Sequence, residues 1–387
     1  MNLVLANARA VTPAGVLDPA LVEVADGRIA TVRRAGTAPD GAVDLGGRWL
    51  VPGFVDVHVH GGGGATFDDG DPEEAARVVA MHRAHGTTTM LASVATAPMD
   101  MLARAVAALA DLARDGLIAG IHLEGPFLAT ARCGAHDSRL LRAPAAADID
   151  LLLAAGRGAV RMVTLAPELD GGLSAVRRVV DAGALAAVGH TDADYEVTAA
   201  AVDAGASVAT HLFNAMPPLH HRAPGPVAAL LEDSRVTVEL INDGAHLHDA
   251  VVTLTIRSVG PGRVAFVTDA MAAAGSGDGR YRLAGRPVTV RDGVARLAEG
   301  GSIAGSTLTA DTAVRRAVRC GVDIVDAVSA AATTPARLLG LQGVTGAIDP
   351  GLAADLVVLD DDLRVDAVMC RGRWLHGGAD TTAEVAR

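Results

Sequence analysis

Hydrophobic and polar residues alternate strictly in one stretch near the start of the chain. The segment from Val55 to His60 reads V-D-V-H-V-H and is followed by four glycines. Because successive side chains of a strand point to opposite faces, the valines share one face and both histidines share the other. The stretch therefore predicts a strand whose end presents His58 and His60 to one cation. For this motif alone, a buried strand with two incidental histidines is the alternative.

Short apolar runs alternate with Ala-rich segments of helical pattern from position 54 onward. The predicted strands begin near Phe54, Thr88, Ile118, Val160, Ala186, Ser207, Val236 and Val264. Helical patterns lie between them, for example at residues 72–85, 100–114, 173–182, 195–204 and 249–259. Eight strand–helix units over roughly 250 residues predict an α/β fold with a TIM-like (β/α)8 barrel. Residues 281–298 predict extra strands, inserted before an eighth helix at 309–319.

The two ends of the chain have a different pattern, with short strands separated by turns. Asp26-Gly27 lies between two apolar runs, which is a typical hairpin sequence. Further strands are predicted at 355–359, 365–370 and 373–375. We expect both ends to pair into one small β-sandwich domain, formed by residues 1–52 and 343–387. The barrel domain then occupies residues 53–342.

The composition excludes several classes of function. The chain has 387 residues, a formal charge of −12 and a pI near 5.5, which argue against nucleic acid or a membrane surface as a partner. All 33 basic residues are arginine. The absence of lysine excludes Schiff-base chemistry and a metal bridge made by carboxylated lysine. No apolar run reaches about 18 residues, so no membrane span is predicted and a cytoplasmic enzyme is the default expectation.

The cysteines indicate no structural site. Cys133, Cys320 and Cys370 lie far apart and form no C-x-x-C pair, so neither a disulfide framework nor a zinc knuckle is predicted. Cys133 lies on a loop beside a glycine, close in sequence to the predicted site. Both contact with a metal and an incidental loop position stay open for this thiol.

Side chains that can bind a metal recur where the predicted strands end. They are His58 and His60 after the first strand, Glu124 after the third, His190 after the fifth, His211 after the sixth and Asp269 after the eighth. The C-terminal strand ends of such a barrel converge on one mouth. A single histidine or carboxylate at a strand end is usually structural, but this joint pattern is hard to explain by packing. It predicts a metal centre.

These motifs resemble one known family. D-x-H-x-H after the first strand, H-L-E-G-P-F, G-H, T-H-L-F-N-A-M and V-T-D-A together resemble the amidohydrolase superfamily. Within it they are similar to the N-acetylglucosamine-6-phosphate deacetylase family, and the match spans nearly the whole chain. H-L-E-G-P and H-L-F-N-A-M-P are far more specific to that family than H-x-H, which the entire superfamily shares.

The resemblance implies one or two divalent metal ions. Glu124, His190 and His211 would hold the first ion, and His58 and His60 would hold a second ion that Glu124 bridges. Zinc is the metal we expect from imidazole and carboxylate ligands, with iron, cobalt, manganese and cadmium as alternatives. Some family members replace the first histidine pair with amides and use one metal.

The resemblance also implies the reaction, which is the hydrolytic deacetylation of N-acetyl-D-glucosamine 6-phosphate to D-glucosamine 6-phosphate and acetate, a step of amino-sugar catabolism and cell-wall recycling. Asp269 would act first as the general base and then as the general acid that protonates the leaving amine. His136 would contact the sugar and stabilise the carbonyl oxygen as negative charge develops. A strand-end cap or metal ligand is the alternative for Asp269, and a solvated loop residue is the alternative for His136.

Further residues are predicted to bind the phosphosugar. Only 2% of the residues are aromatic, so the sugar would be held by polar and ionic groups and not by stacking on rings. By resemblance they are Ala135, His136, Asn214, Ala215, Arg222, Asp243, Gly244, Ala245, His246, Ile303, Ala304 and Gly305. Arg222 would pair with the phosphate. The resemblance further implies a homodimer in which Arg222 or His246 acts across the interface. We interpret His122 as a support for the metal ligands.

Other readings of the sequence stay open. A deaminase or cyclic amidase of the same superfamily would act on another substrate, but would have no use for residues 214–217 and Arg222. A non-catalytic barrel that serves as a scaffold would usually lose metal ligands, and every expected position is filled here. The sequence does not distinguish N-acetylglucosamine from N-acetylgalactosamine 6-phosphate.

Overall fold

A computed structural model of the chain describes residues 3–35 and 37–376. The outermost residues assigned to the small β-domain, 1–2 and 377–387, lie outside the described part. The chain divides into two compact units, one formed by residues up to 56, 82–89 and from 309 onward, and the other by 57–81 and 90–308. The division cuts the helix Pro72–Ala84 and the barrel strand Thr87–Ala95, so the domain limits at 52 and 342 stay a prediction. Among the described helices, none has the length and apolarity needed to cross a membrane.

Strands and helices alternate along the barrel part of the chain, as predicted. The strands are β1 Leu3–Thr12, β2 Gly15–Ala25, β3 Arg28–Arg34, β4 Val43–Asp44, β5 Trp49–Pro52, β6 Phe54–Asp56, β7 Gly61–Gly62, β8 Ala65–Thr66, β9 Thr87–Ala95, β10 Gly120–Glu124, β11 Val160–Leu165, β12 Leu185–Val188, β13 Val208–Ala209, β14 Thr237–Leu240, β15 Val264–Phe266, β16 Gly279–Leu283, β17 Arg286–Arg291, β18 Val294–Leu297, β19 Leu356–Leu359, β20 Val365–Cys370 and β21 Arg373–His376. The helices are α1 Pro72–Ala84, α2 Met99–Arg114, α3 Ala146–Gly156, α4 Gly172–Asp181, α5 Tyr195–Asp203, α6 Gly225–Glu232, α7 Asp249–Val259, α8 Ala310–Arg319, α9 Ile324–Val328 and α10 Thr334–Leu338. A π-helical turn, Ser329–Thr333, joins the last two helices.

Eight strands form a parallel sheet that nearly closes into a barrel, as predicted. Their order is β15-β14-β13-β12-β11-β10-β9-β6. Past the ends of β6 and β15, a parallel bridge between Val59 and Ala270 joins the two edges, and the Asp269 amide donates to the His58 carbonyl oxygen at 2.8 Å. Every residue of β10 is buried, because strands of such a barrel are covered on both faces.

The predicted extra strands form an antiparallel meander of β16, β17 and β18. The first hairpin turns at Ala284 and Gly285, which both have positive φ, the combination that a tight two-residue turn requires. Buried side chains of the meander, such as Leu283, Val288 and Leu297, pack with Met271 and Ala304 into a small core. The meander is thereby a folded element and not a loose loop.

Strands from both ends of the chain pair in one sheet, as expected for the small β-domain. Its order is β21-β20-β19-β5-β1-β2-β3, with β4 beside β1. The register places Val357 opposite Val51 and Val358 opposite Leu50, so the C-terminal strands are paired directly with the segment that leads into the barrel. Side chains from early and late strands, among them Leu5, Val22 and Met369, enclose one apolar core.

Candidate active site

The structure brings the predicted metal ligands and Asp269 together at the C-terminal ends of the barrel strands. His58 and His60 follow β6, Glu124 ends β10, His190 and His211 follow β12 and β13, and Asp269 follows β15. All six side chains are almost completely buried. The spatial convergence that the sequence pattern predicted is therefore present.

One half of the centre consists of Glu124, His190 and His211. Oε1 of Glu124 lies 3.0 Å from Nε2 of His211 and 3.2 Å from Nε2 of His190. The two Nε2 atoms are 3.0 Å apart. Three donor atoms therefore point at one spot, as the ligands of a single ion would.

The other half consists of His58, His60 and Asp269, with Glu124 shared. Nε2 of His60 lies 3.0 Å from Oε2 of Glu124, and the Nε2 atoms of the two histidines are 3.1 Å apart. Oδ1 of Asp269 lies 3.3 Å from Nε2 of His60 and 3.5 Å from that of His58. Glu124 thus lies between two donor sets and could bridge two ions.

Three of these residues have an unusual backbone conformation. His190, His211 and Asp269 have φ values of 48°, 28° and 48°. Non-glycine residues rarely adopt positive φ, and such strain is concentrated at functional sites. The strained turn at each strand end directs the side chain into the mouth of the barrel.

The centre attracts positive charge. Burial alone would lower the pKa of His58, but the charges of Glu124 and Asp269 hold it well above its ordinary value. Burial also lowers the pKa of His60, yet hydrogen bonds with Asp269 and Glu124 raise it to about 9. Burial would raise the pKa of both carboxyls, but the surrounding histidines, with the charge of His58 first, keep Asp269 at about 2 and Glu124 well below its usual range. Both carboxyls are therefore ionised and need a cation close by.

The donor chemistry fits a divalent metal. Nδ1 of His190 donates to the Arg132 carbonyl oxygen at 2.8 Å, so its Nε2 presents a lone pair to Glu124 and to Nε2 of His211. Lone pairs at 3.0 Å repel each other unless a proton or a cation lies between them. Two overlapping sets, His58/His60/Glu124/Asp269 and Glu124/His190/His211, have ligand atoms within 4.8 Å of one another. Imidazole and carboxylate are ligands that zinc and iron accept.

His136 is placed to donate a proton in a hydrogen bond. The Thr96 backbone N–H, which can only donate, points at Nδ1 of His136 at 3.4 Å, and Oγ1 of Thr96 lies 2.9 Å from the same atom. Nδ1 is therefore the acceptor, and the proton is on Nε2, which lies 3.4 Å from Oε2 of Glu124. Burial lowers the pKa of His136 to about 4 despite the nearby carboxylate, so the ring is neutral at pH 7.

A cavity of about 270 Å³ opens over the centre. Of the residues predicted to bind substrate, its lining includes Ala135, His136, Asn214, Ala215, His246, Ile303 and Gly305. Gly305 has φ +61°, and a Cβ added there would lie 3.0 Å from the Asp269 carbonyl oxygen, so only glycine lets this loop approach so closely. Ala304 is buried in the core of the meander.

The structure does not bring the remaining predicted substrate residues into the cavity lining. Arg222 is exposed, and its Nη1 lies 2.7 Å from Nε2 of His221. Oδ1 of Asp243 accepts from the amides of Ala245 and His246, each at 2.8 Å, and Oδ2 pairs with Nδ1 of His246 at 2.7 Å. Asp243 and its neighbours Gly244 and Ala245 thus form the turn that positions His246. Direct contact of substrate with Arg222, Asp243, Gly244 and Ala245 stays a prediction.

Sequence reasoning missed several residues of the site. Leu283 and Ala284 of the meander line the cavity, and the Ala284 amide donates to Oδ2 of Asp68 at 3.3 Å. Glu239 in β14 accepts from Nδ1 of His58 at 3.1 Å. A lone glutamate inside the apolar run V-T-V-E-L was the available signal. His122 lies against His58, with ring centroids 4.5 Å apart, and makes hydrogen bonds of 2.9 and 2.8 Å with Ser93 and Thr164. Its role as a support for the metal ligands stays a prediction.

Comparison with known proteins identifies clear relatives. The model of the Amidohydrolase family matches residues 49–375. A solved N-acetyl-D-glucosamine-6-phosphate deacetylase of Mycobacterium smegmatis, a mutant in complex with N-acetyl-D-glucosamine-6-phosphate, is 49% identical, with a TM-score of 0.94 over 97% of this chain and 99% of that one. The N-acetylgalactosamine-6-phosphate deacetylase of Escherichia coli O157:H7 is 38% identical over 96% of this chain and 99% of its own. The N-acetylglucosamine-6-phosphate deacetylase structure of Thermotoga maritima is 30% identical, with a TM-score of 0.87 over 96% and 99% of the chains.

Proposed function

Because the chain belongs to the amidohydrolase family, we propose that it hydrolyses the acetamide bond of N-acetyl-D-glucosamine 6-phosphate, giving D-glucosamine 6-phosphate and acetate. One observation carries this proposal. Metal ligands from four strand ends, Asp269 and a neutral His136 all meet at one cavity. The relative that shares 49% of its residues was solved with this phosphosugar.

Glu124, His190 and His211 would hold one divalent ion, and His58 and His60 a second. When bound, such an ion lowers the pKa of a water molecule and polarises a carbonyl group. Zinc is the metal we propose, on the basis of the imidazole and carboxylate donors.

Asp269 would transfer the protons of the reaction, and His136 would stabilise the acyl oxygen. Asp269 is ionised, so Oδ1 can accept a proton from the attacking water and then deliver it to the leaving nitrogen. The amine must be protonated before it leaves, because an amide anion is a very poor leaving group. His136 would donate a hydrogen bond from its Nε2–H to the acyl oxygen, where negative charge develops in the transition state.

His246 and Arg222 would bind the phosphate. His246 lines the cavity, whereas Arg222 is exposed and outside its lining. This placement supports a homodimer in which a partner subunit brings Arg222 to the phosphate, whereas His246 would act in its own chain. Light scattering combined with gel filtration would test the dimer. We propose a cytoplasmic location because phosphorylated sugars carry charge and do not cross membranes unaided.

N-acetyl-D-galactosamine 6-phosphate is a second candidate substrate. The Escherichia coli relative, 38% identical, is named for deacetylation of this epimer. The two sugars differ only in the orientation of one hydroxyl group. A site that reads that hydroxyl by a hydrogen bond would separate them strongly.

A substrate panel with defined metal loading tests the proposal. Acetate release would be measured from the 6-phosphates of N-acetylglucosamine and N-acetylgalactosamine and from unphosphorylated N-acetylglucosamine. We expect the phosphate to raise kcat/KM by roughly 10–100-fold for each charged hydrogen bond that it gains. Equal turnover with and without phosphate would favour another amidohydrolase activity, and protein that cannot be loaded with metal would contradict the proposal.

A further inference from the structure

Glu239 is a buried carboxylate next to the metal centre. It lies in β14, is fully buried, and no predicted role includes it. Its Oε1 atom has no hydrogen-bond partner among residues 3–35 and 37–376. A buried carboxylate is costly unless a nearby positive charge compensates it. Its position therefore indicates that a cation belongs close to it.

The second oxygen of Glu239 determines the proton position on His58. The backbone N–H of His211, which can only donate, points at Oε2 of Glu239 at 3.1 Å. Nδ1 of His58 lies 3.1 Å from the same oxygen. Because Oε2 already accepts one hydrogen bond, Nδ1 is the natural second donor. When the His58 ring is neutral, as a metal ligand must be, its lone pair is then on Nε2, which points at His60, Glu124 and Asp269.

The two halves of the centre are supported differently. His190, in the first half, donates from Nδ1 to a backbone carbonyl, which carries no net charge. His58, in the second half, donates to a carboxylate. The Nδ1 atoms of His60 and His211 have no partner within the described chain. Glu239 thus orients the His58 ring and places a negative charge behind it, and both effects reach the second half through His58.

We propose that Glu239 is a positioning residue that sets the affinity of the His58–His60 half for a second divalent cation. The proposal rests on the metal centre of the proposed function. A carboxylate behind a ligand imidazole fixes its tautomer and raises its basicity, and loss of such a partner typically weakens metal binding about 10–100-fold. The first half, which is oriented by a carbonyl group, would depend much less on Glu239.

Counting bound metal in Glu239→Gln tests the proposal independently of activity. Metal-free protein would be titrated with Zn²⁺ against a chromophoric chelator, and the two binding steps would be fitted separately. We expect wild type to bind two ions, and Glu239→Gln to bind the first with unchanged affinity and the second at least about tenfold more weakly. Glutamine keeps an oxygen that can accept from the His211 amide and from Nδ1 of His58, so the fold should be preserved and the variant removes the negative charge.

Asp311→Asn is the matched control. Asp311 is also a buried carboxylate paired with an imidazole, at 3.3 Å from Nδ1 of His85, but it lies in the other compact unit. This variant should bind both ions like wild type. A double-mutant cycle with His58→Gln adds a second measurement, in which Glu239→Gln should have no further effect on ion affinity once His58 is gone.

Several results would overturn the proposal. They are unchanged affinity for the second ion in Glu239→Gln, equal weakening of both steps, an equal effect in Asp311→Asn, and a wild type that binds only one ion. Wild type that binds no ion would instead contradict the proposed function itself. The two failures are therefore distinguishable.

Discussion

The two ends of the cavity are built in different ways. At the metal end, each predicted histidine ligand follows a barrel strand, is buried, and has its Nε2 atom within 3.0–3.4 Å of a carboxylate oxygen of Glu124. At the part of the site predicted to bind the phosphate, which we call the phosphate end, His246 stands on a loop turn made by Asp243, and Arg222 is exposed outside the cavity lining. The predicted metal ligands of one chain all converge, whereas of the two residues predicted to bind the phosphate only His246 lines the cavity.

This difference suggests that the reaction depends on residues at strand ends and that substrate selection depends on residues in loops. Parallel strands fix the ligands to the fold, since moving one ligand would disturb the barrel sheet. Loops carry the groups that select substrate, and these can change without cost to the barrel. Variants at the metal end should therefore alter kcat, and variants at the phosphate end should alter KM.

Asp269→Asn should have the largest effect. The amide cannot accept the proton of the attacking water or return it to the leaving nitrogen, so kcat should fall by about 10²–10⁴-fold. The ion held by Glu124, His190 and His211 should stay bound, because these three residues are unchanged. Acetate release and metal analysis on the same preparation check both statements, and a near-normal kcat in the metal-loaded variant would remove Asp269 from the mechanism.

Arg222→Gln should raise KM with little change in kcat. Loss of a hydrogen bond to a charged group costs about 1.5–3 kcal/mol, which corresponds to roughly 10–100-fold in KM for the phosphosugar. Unphosphorylated N-acetylglucosamine should be turned over equally by variant and wild type. Arg139 is an exposed arginine that pairs with Asp137, so Arg139→Gln is a matched control. If the control raises KM as much, the effect is general loss of surface charge.

The metal end could be predicted from sequence because its residues lie at or just after apolar strands, although the strand predicted through His60 ends at Asp56. The alternation at His58 and His60 and the positions of Glu124, His190 and Asp269 just after apolar runs are local signals. The barrel and the meander could be predicted for the same reason. The bounds of helix α3 could not be predicted, since its sequence A-A-D-I-D-L-L-L-A-A-G is apolar nearly all round and has little amphipathic period.

Contacts between distant segments could not be predicted. Glu239 meets His58 only because β14 and β6 belong to one sheet that nearly closes, which places residues 181 positions apart at hydrogen-bond distance. Leu283 and Ala284 reach the cavity because the meander packs against Met271 and Ala304, and no local pattern encodes that packing. Nor does the sequence indicate that the carboxylate of Asp243 is hydrogen-bonded within its own turn and not to substrate.

Thr96→Val should have a moderate effect, confined to kcat. The change removes the hydroxyl 2.9 Å from Nδ1 of His136 but keeps the backbone donor to the same atom. The loss of one neutral hydrogen bond, about 0.5–1.5 kcal/mol, should lower kcat by roughly 2–10-fold. Thr96→Ser keeps a hydroxyl and should recover most of the rate. Steady-state kinetics on both variants checks this, and equal losses would mean that packing and not the hydrogen bond matters.

The smallest expected effect is a pH dependence of KM at the phosphate end. Burial lowers the pKa of His246, but its ion pair with Asp243 outweighs burial and raises the pKa above the ordinary value. The ring therefore keeps its charge to higher pH than an ordinary histidine, and KM should rise as pH increases through the raised pKa, where the imidazolium loses its proton. Asp243→Asn should move this rise to lower pH, and His246→Gln should abolish it. The comparison must be made above about pH 7, because the second ionisation of a phosphate monoester lies near pH 6. A KM that rises equally in wild type and His246→Gln would place the titrating group elsewhere and leave the phosphate to Arg222.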